Sequence, residues 1–255
     1  MKRIAGLGLS IAAVVLGVTS TSWADLSLYD NFEGSDIDSA KWAVDTTGIQ
    51  YANVTLSNGK ARLDLTSNEN GKYARLAFAS PIQLKDEDQT LRITWDMNVL
   101  TSGLSGAKSY FNGLSVGTSK TSYITAGQTG RNPDFAYQFF TRSHARDSLE
   151  RDGVDHGHVS QLYHYDYTFS AVSQTLKVYA YNANWASSPQ NYESAKPLWT
   201  QETLFPLPVA RDLQLIFYVE LNYGPDSTSR RSVVTLDNVY TTLPGPASAS
   251  VPSDE

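Results

Sequence analysis

The chain has 255 residues, a formal net charge of −6 and no cysteine, and it carries 15 tyrosines and 5 tryptophans. An acidic chain without a basic stripe is poorly suited to nucleic acid or anionic lipid. An exported chain without cysteine has no disulfides and must be held together by its core.

Residues 1–24 have the make-up of a targeting segment. Lys2 and Arg3 supply the positive end, Ile4 to Val18 the apolar run, and Ser22-Trp23-Ala24 a small-x-small cleavage site. The run is shorter than the roughly 18 residues that span a bilayer, and Gly6, Gly8 and Ser10 interrupt it. No later segment is apolar enough to insert in a membrane, so the expectation is cleavage near Ala24 and a periplasmic or secreted protein. Cleavage leaves 231 of the 255 residues, and the loss of Lys2 and Arg3 takes the charge from −6 to −8. That length suits one large all-β domain or two small ones.

Leu26 to Trp42 opens as a short alternating strand, turns at Gly34-Ser35-Asp36, and carries two apolar anchors, Ile37 and Trp42. Val54 to Leu65 reads as a hairpin about Asn58-Gly59, with Val54 and Leu56 leading in and Ala61, Leu63 and Leu65 leading out. Tyr73 to Phe78 is a further strand, stopped by Pro81. The run Asp30-x-Phe32-x-Gly34, Ile37-Asp38 and Lys41-Trp42, followed by Leu56 to Leu63, resembles the opening of the concanavalin A-like lectin/glucanase jelly rolls. Val233 to Val239 resembles the last strand of that group, which returns beside the first. The resemblance covers both ends of the domain and implies a fold rather than an activity. Lectins, carbohydrate-binding modules, glycoside hydrolases and polysaccharide lyases all share it.

The middle of the chain supports the same class without that help. Leu91, Ile93, Trp95, Met97 and Val99 alternate with Arg92, Thr94, Asp96 and Asn98. Tyr137 and Phe139 alternate with Gln138, Phe140 and Arg142; Tyr163, Tyr165, Tyr167 and Phe169 alternate with His164, Asp166 and Thr168. Leu176, Val178 and Ala180 pair back across a turn at residues 170–175. The clearest strand is 213–223, in which Leu213, Leu215, Phe217, Val219 and Leu221 alternate with Gln214, Ile216, Tyr218, Glu220 and Asn222. The expected fold is all-β, a two-sheet antiparallel jelly-roll sandwich over residues 25–243. Residues 244–255, rich in Pro, Ala, Ser and acid, form a disordered tail by composition.

If these strands share one curved sheet, their polar faces pool into a groove for a polysaccharide or oligosaccharide. Arg92, Asp96, Asn98, Gln138, Glu220 and Asn222 would fix hydroxyls and carboxylates, and Trp185 and Trp199 would stack on sugar faces from the loop between them. The bland account of the same residues is a solvated face. The Glu-x-Asp-x-x-Glu run of the resembling hydrolases is absent, which leaves a hydrolase of that kind without its paired carboxyls. A polysaccharide lyase, acting by β-elimination on a uronate-containing glycan, needs a base and a partner for the uronate carboxyl, and His164, Tyr218 and Arg142 supply those types. A surface protein that meets another protein is a third class.

All four histidines, His144, His156, His158 and His164, fall close together. His156-Gly157-His158 could hold zinc or copper, although the stretch also reads as a solvated polar loop. The jelly-roll resemblance implies a structural calcium near Glu33 and Asp237, and hydrogen bonds to turn backbone account for the two carboxylates equally well. No cofactor is required by this reading.

Overall fold

The computed structural model describes residues 26–69, 71–82, 90–102, 109–119, 122–131, 136–143, 148–151, 162–170, 175–182, 199–204, 213–222 and 230–242. They form two antiparallel sheets. The first runs, in spatial order, β13 (Trp199–Leu204), β12 (Thr175–Asn182), β11 (Leu162–Ser170), β6 (Thr90–Ser102), β15 (Arg230–Thr241), β4 (Ala61–Ser67) and β3 (Ala52–Leu56). To this sheet β1 (Ser27–Asp30) adds by pairing with β15, so the first and last strands lie side by side as the sequence ends predict. The second sheet runs β10 (Ser148–Arg151), β9 (Ala136–Ser143), β8 (Ser122–Arg131), β7 (Ser109–Ser119), β14 (Gln214–Asn222), β5 (Lys72–Phe78) and β2 (Trp42–Thr46).

Local chemistry explains the joints. Asn58 and Gly59 have φ of 54° and 67°, the two positive angles that a two-residue hairpin turn needs between β3 and β4. At the opening motif, Asp30 accepts the Phe32 N–H at 2.9 Å on one oxygen and the Trp42 indole N–H at 2.6 Å on the other. These bonds hold Phe32 at a φ of 56°, a conformation bulky side chains rarely adopt, and dock Trp42 on the core. Near the C-terminal end of β15 the pairing with β6 slips between Asp237 and Tyr240, and Asn238 takes a φ of 51° in the resulting bulge.

The core lies between the sheets and is aromatic at its centre. Trp95 stacks on Tyr165 with ring centroids 5.2 Å apart and meets Tyr167 and Phe217 edge-on at 4.5 and 5.2 Å. Leu215, Phe217 and Val219 on β14, with Leu213 just before it, line the same core, as their alternation predicts. Burial pushes Tyr163 up to about 12 and raises Tyr165 and Tyr167 well above the ordinary phenol value, so all three stay neutral.

Candidate functional site

A two-sheet sandwich has two outer faces, and the polar residues gathered by the sequence divide between them. Arg92, Asp96 and Asn98 lie on β6 and His164 on β11, both in the first sheet, whereas Gln138 and Arg142 lie on β9 and Tyr218, Glu220 and Asn222 on β14, in the second. The single groove pooled from all of them is therefore corrected to two separate faces. His164 in particular does not share a face with Tyr218 and Arg142, so these three cannot act together on one substrate.

The first sheet's outer face is a closed web of charge. Arg92 forks onto Asp166 with bonds of 2.9 and 2.5 Å, both residues being buried. One row along, His164 Nδ1 lies 2.8 Å from Asp96, and the Asn238 amide donates to the other Asp96 oxygen at 3.0 Å. Asp237 then accepts the Asn238 backbone N–H at 2.8 Å and the Lys60 ammonium at 2.5 Å. His164 is only 2% exposed, and these groups bond to one another. The two carboxylates named for calcium flank the Asn58–Lys60 turn. Asp237 pairs with Lys60, and a Cβ added at Gly59 would stand 3.3 Å from Glu33 Oε1. Among the described residues, no three His, Cys, Asp or Glu side chains group to hold a metal. His144, His156, His158 and Trp185 lie outside the described residues. Trp199 opens β13 in register with Ala180.

The second sheet's outer face is built differently. Registers across five strand pairs place Arg75, Tyr218, Gly113, Gly127, Phe140 and Arg151 in one row, on β5, β14, β7, β8, β9 and β10. The two glycines put no side chain of their own at the centre of this row, where Gly113 and Tyr218 are both buried. The strands bearing Tyr218 and Phe140 stand three spacings apart, about 14 Å, on either side of that floor. A glycine inside a strand weakens it, and a recurring reason to keep one is close approach of a ligand. Tyr218 is 7% exposed and packs with Ile216 in a small apolar cluster separate from the main core. Around it Arg75 lies over the Tyr73 ring, 3.7 Å from its centroid, and reaches Asp45 at 3.6 Å. The neighbouring row holds Tyr73, Glu220, Phe111, Thr129 and Gln138, and the row on the other side brings Arg142 level with Ile216.

The sequence reading missed both strands that carry the glycines. On β7 the inward positions include Leu114 and Val116, both apolar and buried, and that short alternation was the available signal.

No family model matches this chain, and a search of curated proteins finds no match. Solved structures do match. The winged bean acidic lectin complexed with methyl-α-D-galactose aligns with a TM-score of 0.53 at 10% identity, over 85% of this chain and 97% of the lectin. A Lotus tetragonolobus seed lectin aligns with a TM-score of 0.52 at 12% identity, over 86% of this chain and 100% of the lectin. The chain has the concanavalin A-like jelly-roll fold. A sialidase aligns at a TM-score of 0.52 and 14% identity over 85% of this chain, which spans 18% of that protein. At such identities the likeness is one of fold, and the jelly roll's function has to be argued from its own faces.

Proposed function

We propose that this jelly-roll protein is exported and binds a polysaccharide on the outer face of its second sheet. The observation that carries the reading is the row in which an aromatic residue, two glycines and a second aromatic residue follow one another across the sheet centre. Glycines in place of larger residues give a flat sugar ring room to approach the backbone, while rings at the margins offer apolar faces to its C–H surfaces. Glu220, Gln138 and Asn222 on the same face supply acceptors and donors that can orient hydroxyls. The fold supports the reading as a scaffold that the galactose-complexed lectin shares.

A second reading, β-elimination on a uronate-containing glycan, has one observation behind it. Tyr218 and Arg75 are direct cross-strand partners, which sets a phenol beside a guanidinium. As its phenolate, Tyr218 could take the proton next to the uronate carboxyl while the cation holds that carboxyl; a C=C bond would form as the C–O bond to the leaving sugar breaks, and the phenol would return the proton to the leaving oxygen. His164 has no part in this version.

The test is a glycan panel read for retention and for unsaturated product. Retention without product, lost in Tyr218→Ala, fits the binding protein. Product that Tyr218→Phe abolishes with retention kept selects the lyase. A panel with neither retention nor product refutes both. Export is tested by mass spectrometry of the secreted protein, which should begin at Asp25.

A further inference from the structure

We infer that the groove takes an anionic polysaccharide, one whose sugars carry carboxylate or sulfate groups. The inference rests on the groove reading above and adds the charge of its ligand. Register places Arg131, Arg142 and Arg151 on the same face as Tyr218: Arg131 in the row of Asn222, Arg142 in that of Ile216, and Arg151 in that of Tyr218 itself. No Asp or Glu occupies an outer position on β8, β9 or β10, because the one acid there, Glu150, pairs with Thr141 in the opposite phase. On the far side of the glycine floor Arg75 adds a fourth cation, while Asp45 and Glu220 are the only carboxylates at outer positions of β2, β5 and β14.

This distribution runs against the composition of the whole chain, in which Asp and Glu number 26 and Lys and Arg 20. A solvated face drawn from such a composition would carry acids at least as often as bases. All four cations here are arginine, the side chain whose planar fork matches a carboxylate or sulfate in two parallel hydrogen bonds. Their spread along three rows suits a polymer with a charge on successive units rather than one small anion. Attraction between such a polymer and the β8–β10 half of the groove would weaken as salt rises.

The experiment measures retention of the exported protein on polygalacturonate, polymannuronate, dextran sulfate, neutral β-glucan and xylan at low and high salt. Retention is expected on charged polymers alone, and to fall at least tenfold as salt rises from about 0.05 to 0.5 M, where the screening length shrinks to a few ångström. The carboxylated and sulfated arms identify which anion is read. Arg142→Gln/Arg151→Gln should lose at least tenfold on the charged polymer with an unchanged melting temperature. Retention of neutral polymers, insensitive to salt and to those substitutions but abolished by Gly127→Leu, would overturn the anionic ligand and leave the groove standing. Retention that Gly127→Leu leaves intact, or none on any polymer, would remove the groove and this inference with it.

Discussion

Trp95→Ala is the sharpest test of how the sandwich is held together. The indole is fully buried and, among the described residues, meets the rings of Tyr165, Tyr167 and Phe217, the last across the gap between sheets. Truncating a buried Trp costs about 3–5 kcal/mol in transfer and cavity terms, and each aromatic pair adds roughly 0.5–1.5 kcal/mol beyond its area. One term works the other way. Among the described residues the Trp95 Nε1–H has no hydrogen-bond partner, so its removal relieves a desolvated donor worth about 1–3 kcal/mol. The two smaller terms nearly cancel, and the expected loss stays near 3–5 kcal/mol, or about 6–20 °C in melting temperature for a domain of this size. Trp95→Phe keeps ring packing and discards the donor, and should cost less than half as much. Urea unfolding followed by far-ultraviolet circular dichroism measures both. A loss below about 1 kcal/mol for Trp95→Ala would refute the claim that this cluster joins the sheets.

Asp30→Ala removes acceptors from Phe32 N–H and the Trp42 indole, and should destabilise by about 3 kcal/mol or more, with Asp30→Asn recovering part of it. Alkaline pH should weaken the fold. Burial, with help from Asp30 and Asp38, pushes Tyr29 up to about 12, and burial does the same to Tyr163. Their folded values lie above the ordinary phenol value, so that stability is whole below about pH 10 and drains away as pH climbs through 12. A melting temperature flat across that window, or Tyr163→Phe no shallower than the native protein, would contradict this. At the acid end Asp64 runs the other way. The Arg231 hydrogen bond, aided by Arg62, holds its carboxyl below the usual range. That contribution is present at neutral pH and lost as pH falls through the carboxylate range, a small effect at the surface that Asp64→Asn should remove.

The parts of the fold that were legible beforehand are those that local rules govern. Alternation assigned the buried faces of β6, β11 and β14 correctly, because successive side chains must point to opposite sides. The Asn58-Gly59 hairpin and the Asp30–Trp42 motif were equally local. Sheet membership was not, because alternation identifies a buried face without naming the sheet it belongs to. Arg92 and Glu220 look alike along their strands, and only long-range pairing puts one with β11 and the other with β7. The glycine floor was hidden for a related reason. Gly113, Gly117, Gly127 and Gly130 lower the strand signal of β7 and β8, so the feature that makes the face a groove is the one that masks its strands.

The central claim is that the glycan sits on the second sheet's outer face. Calorimetric titration with the polysaccharide that the panel selects tests it most directly, in the native protein, Gly127→Leu and Asn98→Ala. The account predicts that Gly127→Leu, which raises a side chain from the floor, loses binding by at least tenfold. Asn98→Ala, on the opposite face of the sandwich, should bind as the native protein does. Undiminished binding by Gly127→Leu together with loss in Asn98→Ala would place the site on the first sheet and contradict the account.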